Sequence, residues 1–417
     1  MKIRVIMLTG CLLISLLAAC GEVPDLPDDP VEEEDEYPDI EYNYHINGYR
    51  SELVDVLGAA LGKPTGEEIT KEELATLTHL SIPYITRGHH EMPIALGYNS
   101  MALLMHCVNL QALTSSTTIL DLSPLVVLNN LTELNIDNSR DWDPGPMELG
   151  PLANMTNLTK LSIFSNGHLD LNPLAGLINL TELNLDTHEH LDLNPLANMT
   201  NLTKLSIFSN EHLDLNPLAG LTNLTKLSIF SNEHLDLNPL AELANLTELN
   251  LSNNGHLDLS PLANLSNLIE LNISGNGHLD LSPLTGLINL TELDLSDNGL
   301  FDIHLPAEWI NLQQLELQHN KIANITSLAE LTNLQHLNLR GNNISDITPL
   351  SGLTHLKKIY LSNNQIVDLK PLVDNPGLAN ENLGSRVVVA VVNNPLSDFS
   401  RNVYIPALEA RGVSVKH

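Results

Sequence analysis

Leu158 to Asn179 reads LTKLSIFSNGHLDLNPLAGLIN, and from Leu180 the same pattern begins again. Leu158, Leu180, Leu202, Leu224, Leu246, Leu268, Leu290, Leu312, Leu334 and Leu356 are register marks spaced 22 residues apart. A period between about 20 and 50 residues signals a solenoid. Such a chain carries its function on a surface rather than in a buried active site.

Within this stretch Leu161 and Ile163 are separated by one residue, so they point to the same side of a short strand. Lys160, Ser162 and Phe164 alternate with them and point the other way. Asn166 follows, where a side-chain amide can bond the turning backbone. Stacked copies predict an asparagine column of Asn166, Asn210, Asn232, Asn254, Asn276, Asn298, Asn320, Asn342 and Asn364. Ser139 and His188 interrupt it, and there the turn must be closed differently. Asn172 before Pro173, like Ser260 before Pro261, reads as an N-cap followed by a proline at the first helical position. PLAGL is one or two turns long, which suits a 3₁₀ helix. No repeat can bury its leucines alone. Stacking parallel strands at about 4.8 Å joins them in one core.

Working outward, the repeat predicts five regions. Residues 1–19 read as a signal segment, 20–45 as an acidic tether and 46–109 as an N-terminal helical cap with degenerate first repeats. Residues 110–377 hold about 12 repeats, and 378–417 form a C-terminal cap. In the first cap a helix is expected through Ser51–Leu57, and Thr70-Lys71-Glu72-Glu73 reads as a capping box. Leu131 to Leu158 spans 27 residues, which places an insertion around Ser139–Gly145. It carries Trp142, as a protruding contact loop or as a cover for the solenoid edge. Near the end, Val387, Val389 and Val391 alternate as a strand. Tyr404–Arg411 then suggests a helix stopped by Gly412.

The pattern LxxLxLxxNxIxDIxPLxxLxx resembles the bacterial leucine-rich repeats of the internalin type. The best units are LQHLNLRGNNISDITPLSGLTH (Leu334–His355) and LKKIYLSNNQIVDLKPLVDNPG (Leu356–Gly377). The resemblance covers roughly Leu110 to the C-terminus. It implies an α/β solenoid, a curved right-handed horseshoe with a parallel concave sheet and short 3₁₀ or helical convex segments. Fold likeness alone names no ligand.

The opening residues carry a second signal. Lys2 and Arg4 precede an apolar run from Val5 to Ala19, too short to span a bilayer but suited to a signal peptide. Leu17-Ala18-Ala19-Cys20 resembles the lipobox of bacterial lipoproteins. That resemblance implies cleavage before Cys20 and lipid on it, giving a lipid-anchored envelope protein. Gly21, in place of the aspartate that retains lipoproteins in inner membranes, points to the outer membrane or cell surface. Gly21 to Glu41 holds 11 acidic residues, four prolines and no lysine or arginine, a composition that cannot fold alone. Net charge is −32, which disfavours nucleic acid and anionic membranes as partners. Membrane contact is then expected only through the lipid on Cys20. Cys107, in an apolar stretch, reads as a buried small hydrophobe.

Candidate binding residues lie on the outward strand positions. Three near-identical repeats present Lys160 and Phe164, Lys204 and Phe208, Lys226 and Phe230. Only five phenylalanines occur in the chain, so three on one face suggest a partner site. The same columns continue as Glu248, Glu270 and Glu292, giving a Lys/Phe zone beside an acidic zone. A second column, His168, His190, His212, His234, His256 and His278, stands where the family places an inward isoleucine. Leu169 and its copies are expected to take the apolar role, and Asp170 and its copies to orient the imidazoles. A linear ladder does not converge on a metal as three or four ligands must. His89, His90 and Glu91 are the only non-repeating metal-type cluster. No P-loop, GxSxG, HExxH or CxxC motif occurs, so no catalytic residue, metal or cofactor is assigned. The reading is non-catalytic binding of a protein or glycan ligand. A structural or adhesion role and a metal-binding or enzymatic role remain as alternatives.

Overall fold

The computed structural model describes residues 45–46, 49–50, 52–87, 92–139, 147–187, 189–208, 212–231, 234–379 and 387–417. Cys20, the acidic segment, His89, His90, Glu91, Trp142, His188, Asn210 and Asn232 lie outside these residues. The chain divides into a unit ending at Arg50 and a unit from Ser51 to His417. In the first, His45–Ile46 pairs antiparallel with Tyr49–Arg50. No described helix is long and apolar enough to cross a membrane.

The second unit is built on one parallel sheet of 15 strands. It opens at His79–Ile82, closes at Ser414–Lys416, and its two end strands do not meet. The strands follow one another in chain order, with Leu161, Leu183, Leu205, Leu227, Leu249 and Leu271 in register along the core side. Between strands the chain returns through short 3₁₀ turns such as Asn172–Gly176 and Ser260–Asn264. The expected leucine-rich solenoid is therefore the observed fold. Its core is a ladder of leucines, with Leu158, Leu174, Leu177 and their copies fully buried.

The turn after each strand takes two forms. From Ser231, at φ +60°, onward the fifth residue of the core pattern adopts a left-handed conformation. Asn253, Gly275, Asp297, His319, Gly341 and Asn363 have φ between +56° and +69°. That reversal turns the next residue inward, and Asn254, Asn276, Asn298, Asn320, Asn342 and Asn364 form the predicted buried column. Asn276 shows its work: Nδ2 donates to Leu251 O at 2.9 Å and Ile273 O at 2.8 Å, and Oδ1 accepts from Asn254 N at 2.6 Å.

Earlier repeats differ. Glu133–Asn138, Lys160–Ser165 and Glu182–Thr187 are strands of six residues. Strand alternation then carries Asn138, Ser165 and Thr187 inward. Asn138 and Thr187 stand one residue before Ser139 and His188, the two positions where the asparagine column is interrupted in the sequence. Asn138 bonds both the N–H and C=O of Ile119, at 3.0 and 2.9 Å. Asn166, expected in the column, is instead only half-buried and donates to Ser139 O at 2.6 Å.

The caps of the 3₁₀ turns also need correction. Asn172 is not the capping acceptor. Asp170 Oδ1 accepts from Asn172 N at 3.0 Å and from Asn172 Nδ2 at 2.7 Å. Asp192, Asp214 and Asp236 repeat the arrangement, and Asp258 and Asp280 accept from the serine N–H two residues on.

At the N-terminal end a helix spans Glu52–Ala60, and Thr70 and Glu73 form the reciprocal capping box. The long first repeat holds an antiparallel pair, Thr86–Arg87 with Met92–Pro93. At the other end Val388–Ala390 is a strand and Ile405–Ala410 a helix, with Gly412 at φ +82°. After the glycine the chain adds a strand that was not foreseen, Ser414–Lys416, parallel to Val388–Ala390.

Candidate functional site: the outward strand face

Each strand of the repeats presents its alternate side chains away from the core. In register, one column reads Glu133, Lys160, Glu182, Lys204, Lys226, Glu248, Glu270, Glu292 and Gln314. All three lysines singled out from sequence lie in it, each beside a carboxylate on the next strand. Lys160 Nζ is 2.8 Å from Glu133 and Lys204 Nζ is 3.0 Å from Glu182, while Lys226 pairs with Glu248. The glutamate partners hold the Lys160 and Lys226 ammonium groups above their ordinary pKa. Sequence reading had separated a lysine zone from an acidic zone. The structure places Glu133 and Glu182 on strands beside the lysine strands, so the lysine zone is itself mixed, while Glu248, Glu270 and Glu292 follow as a stretch of one sign.

The phenylalanines separate into a pair and a single ring. Phe208 and Phe230 are adjacent in register, with ring centroids 6.4 Å apart and planes tilted by 35°. Phe164 stands between Asp137 and Asp186 on its neighbouring strands. All three rings are half-buried rather than fully exposed. The apolar surface they offer is therefore smaller than the sequence implied.

Beyond Lys226 the face becomes a groove of about 250 Å³ bordered by Glu248, Glu270, Glu292, Asp294 and Glu316. Desolvation, then the neighbouring Glu248 and Glu292, raise the Glu270 carboxyl above the usual carboxylate range. Burial does the same to Glu316. Glu248, Glu270 and Glu292 were read from sequence as an acidic zone, their one-sign repetition being the signal, whereas Asp294 and Glu316, one column over, were not singled out.

Residues 332–374 match the family described as Leucine Rich repeats (2 copies), and residues 289–309 match Leucine Rich Repeat. The chain is built of leucine-rich repeats. A search of curated proteins returns no match. Among solved structures, an internalin (inlF) from Listeria monocytogenes aligns over 88% of this chain and 95% of its own, at 29% identity and a TM-score of 0.60. A leucine-rich repeat protein of Leptospira interrogans aligns over 83% and 97%, at 20% identity and a TM-score of 0.58. The functional domain of InlJ from Listeria monocytogenes aligns over 81% and 79%, at 23% identity and a TM-score of 0.50. The last two likenesses establish the fold.

The histidines occupy the flank of the leucine-rich repeats, not the strand face. All six are exposed, and Leu169, Leu191, Leu213, Leu235, Leu257 and Leu279, one residue later, are buried. Repeats of the usual pattern bury Ile322, Ile344 and Ile366 one position earlier, so the shift from isoleucine to histidine is real. His212 and His234 meet edge to face at 6.4 Å, and His190 Nδ1 lies 3.2 Å from His212 O. Asp170 and its copies give their Oδ1 atoms to the turn rather than to the imidazoles. Among the described residues no group of three or more His, Cys, Asp or Glu could hold a metal ion. Cys107 is fully buried, and burial pushes its thiol up to about 12. The structural reading of that cysteine holds.

Proposed function

We propose that this leucine-rich repeat chain is a non-catalytic binding protein of the bacterial envelope. It is tethered through lipid on Cys20 and recognises a partner protein across its outward strand face. The observation that carries the reading is the Phe208–Phe230 pair, 6.4 Å apart on adjacent strands and flanked by Lys204 and Lys226. Binding energy concentrates in a few aromatic and charged anchors, with polar neighbours excluding water. A protein fits this face better than a glycan because charged groups repeat along it on successive rungs, with each lysine already oriented by a glutamate. The net charge of −32 disfavours nucleic acid. The internalin likeness supports a binding role and names no ligand for this chain.

The test is capture of the partner by cells displaying the full chain. Phe208→Ser with Phe230→Ser should lower capture about tenfold or more. Unchanged capture by that double variant sinks the proposal. Cys20→Ala should move the protein from the membrane fraction to the soluble one, and continued membrane association would remove the anchor.

A further inference from the structure

The register column changes character part-way along the sheet. From Glu133 to Glu248 every lysine meets a glutamate on a neighbouring strand, and the signs largely cancel. Glu248, Glu270 and Glu292 then face one another directly on consecutive strands. Like charges directly opposite one another destabilise a sheet. Among the described residues no salt bridge holds Glu270, Glu292, Asp294 or Glu316. Lys226, the one ammonium bordering the groove, is engaged by Glu248. The chain therefore pairs its charge along one stretch of the column and leaves Glu270 and Glu292 without a salt bridge on the next, before the column runs on through Gln314 and His336 to Lys358, which acts on Glu316 at longer range.

We infer that the groove from Lys226 to Glu316 docks a basic, extended polypeptide segment of the partner protein. This deepens the proposed function and rests on its reading of the strand face as the binding surface. Charge complementarity selects the occupant. The carboxylates are spread over successive strands at about 4.8 Å per rung, which matches a row of side-chain cations rather than one ion. Leu249, Leu271 and Leu293 underlie the groove but turn their side chains into the core, so charge rather than apolar contact carries the recognition. Lys226 and Ser228 line one end of the groove, and Phe230, two residues further along the same strand, offers an anchor for an apolar residue at that end of the segment. The chain's own Gly21–Glu41 stretch, with no lysine or arginine, carries the wrong charge to fill the groove. A second copy carries −32 and is repelled.

The probe is a labelled peptide of alternating lysine and serine with a phenylalanine at one end, set against its glutamate counterpart. Titrated onto the full chain at low salt, the lysine peptide should bind saturably and the glutamate peptide should not. Glu270→Gln with Glu292→Gln should weaken lysine-peptide binding about five- to tenfold. Glu330→Gln with Glu409→Gln, the same charge change on exposed sites away from the groove, should leave it unchanged. Equal weakening by both pairs means diffuse charge attraction and overturns the inference. So does a lysine peptide that fails to bind, or displacement of the bound peptide by stoichiometric Ca²⁺ with saturable heat at the groove. Partner capture by cells separates the two levels. If the phenylalanine variants abolish capture and the groove variants do not, the strand-face reading stands and this inference falls.

Discussion

The backbone N–H of Asn254 donates to the Oδ1 of Asn276, one rung and 22 residues away, at 2.6 Å. The same Asn276 amide donates to two carbonyls, so one buried side chain ties two consecutive repeats together by three bonds. Replacing it strands the Asn254 N–H and the Leu251 carbonyl in the core, while Ile273 O keeps its bond from Asn298. Asn276→Ala should lower unfolding stability by about 2–3 kcal/mol, read as a shift in urea midpoint at constant slope. Asn166→Ala, at the nominally equivalent position, should cost less than 1 kcal/mol or so, because Asn166 is half-buried.

Gly377 sits where a β-carbon would meet Thr354 O at 1.9 Å. The neighbour is backbone, so it cannot swing aside. Gly377→Ala should destabilise the C-terminal end by about 3 kcal/mol or more. Proteolysis confined to the segment after Lys370 would register it, and a wild-type digestion pattern would contradict it.

Cys107 combines full burial with a thiol pushed up to about 12. The native protein should be inert to Ellman's reagent through Cys107 at pH 8 and should react fully in guanidinium. Rapid native reaction at Cys107 would mean that the first repeats open readily.

Acid should act on two sets of carboxyls with opposite signs. Hydrogen bonds from the Ser260 side chain and N–H hold Asp258 below the ordinary carboxylate range, and Ser282 does the same for Asp280. Their contribution is complete above the unfolded value of about 4 and is lost as pH falls through the folded values. Glu270 is shifted upward, so the fold favours its neutral form. Its contribution is present below about pH 4.3 and lost as pH rises through the folded value. Glu270→Gln should therefore raise the melting temperature at pH 7 slightly, on the order of 1 °C. The gain should vanish near pH 4, and a lower melting temperature at pH 7 would refute the assignment.

The leucines at 22-residue spacing were enough to read the sheet, its register and the order of its strands. The two turn forms were harder to see, because they depend on whether one residue accepts a positive φ. Asn253, Gly275, Asp297 and Gly341 accept it readily. Thr187 is β-branched and resists it, so its strand runs on and its asparagine slot slips by one. Residue type alone does not carry that signal elsewhere, because Ser165 continues its strand while Ser231, in the same Ser-Ile-Phe-Ser run, turns at φ +60°. Asp170 was misassigned to the histidines because spacing along a chain does not say which way a carboxylate turns. The closing Ser414–Lys416 strand has too few residues to show a period. At the site, the lysines and phenylalanines were legible by type. Their pairing with Glu133 and Glu182 required knowing which residues lie opposite across strands.

Lys204 and Lys226 stand side by side in strands of identical sequence, Lys204–Phe208 and Lys226–Phe230, each strand started by the same threonine hydrogen bond to the rung before. Thr203 bonds Thr181, Thr225 bonds Thr203 and Thr247 bonds Thr225, all at 2.9 Å. A recombination event that removed one such unit would rejoin surfaces that already fit, and one that added a unit would do the same. The length of the binding face is thus a heritable variable that changes in whole rungs, independently of how any rung is held together.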